Sequence, residues 1–153
     1  MITVFVVDDQ ELVRAGFTMV VDSQPDLHVV GQAGDGEDAV ARLRDIRCDV
    51  VLMDVRMPRL DGVAATERLL AGPHPPRVLM LTTFDLDEYA YRALRAGASG
   101  FLLKDSPPAD LLAALRTVAL GETVLATSTT RRWSSSTAAP RPATRRRPGW
   151  WRR

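Results

Sequence analysis

Asp8, Asp9, Asp54, Thr82 and Lys104 are the residues whose types and spacing could together do chemistry. Each comes directly after a short apolar run: Ile2–Val7 delivers Asp8 and Asp9, Val50–Met53 delivers Asp54, Arg77–Leu81 delivers Thr82 and Ser99–Leu103 delivers Lys104. Three carboxylates held close together repel, and each has its pKa raised unless something neutralises them. A hard divalent cation does this, and Mg²⁺ suits a site with few protein oxygens and several waters. Asp8, Asp9 and Asp54 would supply side-chain oxygens, and the backbone carbonyl of Arg56 would add another. Asp54 then has the character of a carboxylate nucleophile towards a phosphoryl group. The metal and Lys104 would offset charge on the equatorial oxygens of that group, and Thr82 offers a hydroxyl donor to one of them. Any one of these residues alone reads as a helix cap, a turn residue or a solvated charge. Their coincidence at four strand ends is what carries the chemical reading.

The elements that position them follow from hydrophobic periodicity. Up to about residue 126, strand-like and helix-like patterns alternate five times. Between the apolar runs, Leu12, Val13, Gly16, Phe17, Val20 and Val21 recur at helical spacing, as do Ala39, Val40 and Leu43. His28–Val30, continuing towards Ala33, predicts a second strand. Further helices are predicted near Val63–Leu70 and near Asp87–Ala96. The last opens at Pro107-Pro108, where proline suits a first turn, and ends about Leu120 before Gly121. Strands 1, 3 and 4 are nearly continuous apolar runs, which suits strands covered on both faces. Such units imply an α/β fold with a doubly wound, five-stranded parallel sheet in the flavodoxin-like order 2-1-3-4-5. In that order strands 1, 3, 4 and 5 are consecutive neighbours ~4.8 Å apart. Their carboxyl ends, where ligands bind in such sheets, would bring the five side chains to one pocket.

Composition sets the outer bounds. At 153 residues there is room for one ordinary domain and a short extension. No apolar run is long enough to span a bilayer, and the N-terminus lacks the basic lead of a signal peptide, so the expected location is cytoplasmic, without membrane contact. A lone cysteine, Cys48, excludes an intrachain disulfide and reads as a small filler ahead of a buried strand. The net charge of +1 conceals two unlike segments. Residues 1–126 carry 12 Lys and Arg against 19 Asp and Glu, a formal −7, whereas residues 127–153 carry eight arginines and no acid, a formal +8. All three tryptophans, Trp133, Trp150 and Trp151, lie in that basic stretch.

Asp8-Asp9 after an apolar strand, Asp54-Val-Arg-Met-Pro-Arg-Leu-Asp-Gly62, Leu81-Thr82-Thr83 and Ala96-Gly-Ala-Ser-Gly-Phe-Leu-Leu-Lys104-Asp105 resemble the receiver domain of two-component response regulators. The resemblance runs from residue 2 to about 120, giving expected boundaries of 1–120 for the receiver and 121–153 for a linker remnant and disordered tail. Arg14-Ala-Gly, Gly-Phe-Leu-Leu-Lys-Asp and Gly121-Glu122 resemble the LuxR/NarL-type subfamily. The resemblance implies a signalling domain that assists its own phosphorylation and dephosphorylation, and is not otherwise an enzyme. Asp54 matches the phosphoacceptor, Asp8 and Asp9 the metal-binding acids, Thr82 the switch hydroxyl, Lys104 the partner lysine and Phe101 the aromatic switch position. For Phe101 an ordinary core role is equally open. The resemblance also implies a sensor histidine kinase as phosphoryl donor and a phosphorylation-dependent homodimer, with helix 1 and the last helix as the common dimer surfaces. Met57-Pro58 and Asp61-Gly62 match the loop over the site, where Gly62 suits a backbone geometry that other residues resist.

Regulators of that type continue into a helix-turn-helix domain, whereas this sequence continues into residues 127–153. That stretch has no helical apolar period and is interrupted by Pro140, Pro142 and Pro148, so disorder is expected. Its arginines and tryptophans could hold nucleic acid weakly and without sequence preference, but the abrupt change of composition favours a solvated remnant. DNA recognition is therefore expected only through an effector domain. Two rival classes fall on single features. A phosphatase of the haloacid dehalogenase type needs a second acid two residues after its nucleophile, where Arg56 stands. A nucleotide or flavin module needs a Gly-rich turn after strand 1, where Asp8-Asp9-Gln10-Glu11 would repel phosphate.

Overall fold

The computed structural model describes residues 1–83 and 92–124. The elements are β1 (Ile2–Val7), α1 (Glu11–Asp22), β2 (Leu27–Ala33), α2 (Gly36–Arg42), β3 (Val50–Asp54), α3 (Gly62–Leu70), β4 (Arg77–Thr82), β5 (Gly100–Leu103) and α4 (Pro108–Ala119). The sheet has the order β2-β1-β3-β4-β5 with every pairing parallel. The flavodoxin-like architecture expected from the alternating patterns is the one observed. Of the helix expected near Asp87–Ala96, residues 92–95 are helical and residues 87–91 lie outside the described residues. The tail from 127 lies outside them too. No described helix is long and apolar enough to cross a membrane.

Strand periodicity divides the core into two layers. Phe5, Val7, Met53, Met80 and Phe101 face Ala39, Ala65 and Leu69 from α2 and α3. Their chain neighbours Val4, Val6, Leu52, Leu79 and Leu102 face the opposite side, against Val21 of α1 and Leu111, Leu115 and Val118 of α4. Successive side chains point to opposite faces of a strand, so central strands covered on both sides must be apolar throughout. β1, β3 and β4 are accordingly buried from Val4, Val50 and Val78 to their ends. Leu12, part of the apolar pattern of the first helix, instead points outward, as does Met19.

Helix starts are set by local chemistry. Asp35 caps α2 by accepting from Asp38 N at 2.8 Å, and Asp61 caps α3 by accepting from Ala64 N at 2.8 Å. α4 begins with Pro108, whose missing N–H costs nothing in a first turn.

The sheet also takes in residues beyond 120. After Gly121, which turns the chain at φ +93°, Val124 returns to the outer edge of β5. Its N–H donates to Ser99 O at 3.0 Å, and its carbonyl accepts from Phe101 N at 2.8 Å. Gly100 permits this approach: a Cβ there would sit 2.7 Å from Val124 O and 2.9 Å from Leu79 Cδ1. Gly100→Ala should therefore destabilise the domain by about 1–3 kcal/mol through overpacking and lost edge pairing. Urea unfolding and amide hydrogen exchange at Phe101 test this; unchanged protection of the Phe101 amide would show that the edge pairing does not depend on Gly100.

Candidate functional site

The strand ends place four of the five sequence-selected side chains in or beside a buried pocket at one end of the sheet. Asp8 is 1% exposed, Asp54 5% and Thr82 3%, while the Lys104 side chain is 12% exposed. Lys104 Nζ lies 2.6 Å from Asp8 Oδ2 and 3.3 Å from Asp54 Oδ2, so one ammonium sits between two carboxylates. Asp9 is exposed at the mouth. Even so, one oxygen each from Asp8, Asp9 and Asp54 lie within 4.8 Å of one another.

Backbone contacts fix these groups. Gln10 N donates to Asp8 Oδ1 at 2.9 Å, and Arg14 Nη1 donates to Asp8 O at 2.7 Å. Asp8 Oδ2 is held by the Lys104 ammonium, while Oδ1 accepts from Gln10 N. In the β3–β4 pairing Leu81 stands opposite Asp54, which brings Thr82 to the same level of the sheet. Lys104 N donates to Thr82 O at 2.6 Å, tying the ends of β4 and β5. Phe101 is fully buried and packs in the layer that holds Met80 and Ala93. Its ring points inward, a position that an ordinary core role and the inward state of a switch residue share.

The loop after Asp54 folds back over β3. Gly62 N donates to Val55 O at 2.8 Å, and a Cβ on Gly62 would lie 2.1 Å from Asp54 O. The expectation that Gly62 supplies an unusual backbone geometry is corrected here: its φ is not positive, and the demand is for space against the backbone of Asp54 and Val55. The residue that does take positive φ in this loop is Arg59, at +68°. Its guanidinium pairs with Asp35, joining the loop to the cap of α2. Gly36 meets the same loop closely, with Leu60 O 2.3 Å from where its Cβ would be. Sequence reasoning did not find the Arg14, Asp35 and Arg59 contacts, because each depends on a loop conformation rather than on periodicity. Arg56 is exposed on this loop and borders the mouth with Asp9, Met57 and Asp61.

Burial pushes the Asp54 carboxyl up to about 6, the Asp8 charge adds to the rise, and Lys104 opposes it. Burial also works against the Lys104 charge, but contact with Asp8 and Asp54 outweighs it and holds the ammonium above its ordinary range. Three acids and one Lys leave the pocket short of positive charge. Oxygens around a six-coordinate Mg²⁺ at ~2.1 Å lie up to ~4.2 Å apart, so the three carboxylates need only a small approach to hold such an ion. A donor set made of carboxylates alone fits a hard cation and no soft one.

The chain matches the family described as the response regulator receiver domain over residues 4–116. It is 43% identical over 136 residues to "Uncharacterized transcriptional regulatory protein YxjL" of Bacillus subtilis, covering 89% of this chain and 62% of that protein. It is 40% identical over 121 residues to the oxygen regulatory protein NreC of Staphylococcus aureus, covering 78% of this chain and 56% of that one. The chain thus spans only 56% to 62% of the length of these relatives. Among solved structures, the signal receiver domain of the putative response regulator NarL from Mycobacterium tuberculosis aligns with TM-score 0.76 and 36% identity, over 79% of this chain and 98% of that one. A LuxR-family response regulator from Aurantimonas aligns with TM-score 0.84 and 28% identity, over 90% and 99%.

The burial of Asp54 beside Asp8 has a measurable consequence. A carboxyl whose pKa is raised on folding weakens the fold as pH climbs from the unfolded value of 3.8 through about 6, and the full penalty stands above that. In metal-free buffer at pH 7.5, Asp54→Asn should therefore be more stable than wild type by about 1–2 kcal/mol, and the difference should shrink towards pH 4. Urea unfolding with a chelator present checks it; a variant less stable than wild type at pH 7.5 would mean that Lys104 more than compensates the pocket.

Proposed function

The chain belongs to the response regulator receiver domain family, of the LuxR/NarL type, and on that premise we propose that Asp54 is its phosphoacceptor. The observation that carries the reading is the placement of Asp54 within 3.3 Å of Lys104, beside Asp8 and Asp9, at the carboxyl end of the central strand. A phosphohistidine on a sensor kinase is the natural donor. An Asp54 carboxylate oxygen attacks phosphorus, the P–N bond breaks, its electron pair stays with the imidazole, and that ring takes up a proton.

Mg²⁺, held by Asp8, Asp9, Asp54 and the carbonyl of Arg56, would supply charge neutralisation for the incoming phosphoryl oxygens. Lys104 donates to a second phosphoryl oxygen and Thr82 to a third. The tight backbone of Gly62 against Asp54 keeps the loop over the carboxylate, so that the nucleophile is presented from a fixed direction.

Phosphorylation turns the single charge of the Asp54 carboxylate into the roughly double charge of an acyl phosphate, a net gain of about one negative charge, and brings strong acceptor oxygens. Lys104 is drawn from Asp8 towards the new group, and Thr82 turns its hydroxyl to it. Both residues lie at the ends of paired strands, with Met80 opposite Phe101 and Thr82 opposite Leu103, so the β4–β5 pair and the buried Phe101 shift together. The result is a two-state change of population driven by one local charge. The readout proposed is a homodimer through α1 and α4, where Leu12, Met19 and Leu120 are 87%, 74% and 78% exposed. Control of transcription would follow in a protein that carries an effector domain with this receiver. We place the receiver at residues 1–120, with 121–153 as a tail and a linker whose Val124 pairs with the edge of β5, and its setting in the cytoplasm.

Incubation with acetyl phosphate and Mg²⁺, followed by intact mass, should add one phosphoryl group to wild type and none to Asp54→Asn. Equal labelling of both would sink the assignment. Sizing chromatography of the phosphorylated chain should show a dimer that Leu12→Glu abolishes without reducing phosphorylation. A dimer insensitive to Leu12→Glu would place the interface elsewhere.

A further inference from the structure

A second cavity lies at the opposite end of the sheet from Asp54, where the chain leaving α2, the end of α3 and the loop at Pro73–Pro76 meet. Its volume is about 510 Å³, within the ~300–1,000 Å³ range of small-molecule sites. The floor is apolar, formed by Leu43, Ile46, Leu69 and the half-buried Cys48. Burial pushes the Cys48 thiol up to about 12, with the Asp49 charge adding to it, so this group stays an uncharged thiol and behaves as apolar surface. The rim is basic: Arg44, Arg47, Arg68 and His74 border the cavity and, among the described residues, no Asp or Glu does.

The rim cations differ in how they are engaged. Arg47 Nη2 lies 2.9 Å from His74 Nε2, and since guanidinium can only donate, His74 accepts there. That contact braces the loop against the end of α2 without neutralising any charge. Arg44 and Arg68 have no acidic partner among the described residues. Arg68 also complements the carbonyl end of α3, a screened interaction that leaves most guanidinium donors unused. In a domain whose first 126 residues are net acidic, a rim of three arginines without an acid is a local reversal of sign.

We propose that this cavity binds a small amphipathic anion, an aromatic or acyl carboxylate, with its apolar part on Leu43, Ile46 and Leu69 and its carboxylate between Arg44 and Arg68. The proposal is independent of the chemistry at Asp54. The cavity size sets the limit on the apolar part, about that of a fused two-ring group. Guanidinium geometry favours a carboxylate head over a point anion, because its paired donors match two oxygens.

The test uses the full chain, labelled with ¹⁵N, and two matched probes: 2-naphthoate and the neutral 2-naphthalenemethanol. Naphthoate should shift the amides of Leu43, Cys48, Leu69 and Gly72 saturably, and bind roughly fivefold or more tightly than the alcohol. Arg44→Gln with Arg68→Gln should remove that advantage while the remaining spectrum stays that of the folded domain, and raised salt should weaken binding. Equal affinity for the two probes would overturn the anion site, as would shifts confined to amides away from this cavity, such as those of Phe17 and Leu111. Shifts at these amides from an acidic peptide but not from naphthoate would replace it with a protein-docking surface.

Discussion

One ammonium between two buried carboxylates is the contact on which the rest of this structure depends. Lys104 reaches Asp8 at 2.6 Å and Asp54 at 3.3 Å, and these residues come from three different strands of the sheet. Charges this close and this dry are affordable only when paired, and the pairing is incomplete: three acids face one lysine. The pocket is therefore built with a deficit of positive charge. Burial first, and that deficit second, raise Asp54, and the deficit suits a hard cation and makes the site responsive to a further change of charge.

The scaffold explains why such a pocket can exist. A parallel sheet ends all its strands on one side, so each strand can deliver a side chain to a common point while its interior remains apolar on both faces. β3 ends in Asp54 after four buried residues, and β1 leads to Asp8 after four buried residues. Between them the structure spends close backbone packing: Gly62 against Asp54, Gly36 against Leu60, and Gly100 against Val124. The first two hold the loop over the site, and the third ties the chain after α4 to β5, the strand that leads to Lys104.

Much of this was legible in the sequence, for physical reasons that can be named. The strands were visible because burial on both faces demands continuous apolar runs, and Asp8, Asp54, Thr82 and Lys104 stood out because polar residues abruptly end those runs. Strand order then required them to meet. What could not be read depended on the third dimension of loops. Gly62 looked like a residue chosen for its dihedral freedom, yet it is chosen for its lack of a Cβ. Val124 gave no periodic signal, since a single paired residue has no period. Leu12 fitted a helical apolar stripe and proved exposed, because a stripe of that width extends past the face the sheet can cover. Phe101 required coordinates to show its buried position.

The central claim is that Asp54, alone among the clustered acids, forms the acyl phosphate. Borohydride reduction converts an aspartyl phosphate to homoserine and leaves a free carboxylate untouched, so it marks the acceptor permanently. After brief treatment of the phosphorylated chain, peptide mapping should find homoserine at position 54, with Asp8 and Asp9 unchanged. Homoserine at position 8 or 9, or none at 54 in a chain that carries one phosphoryl group, would contradict the account.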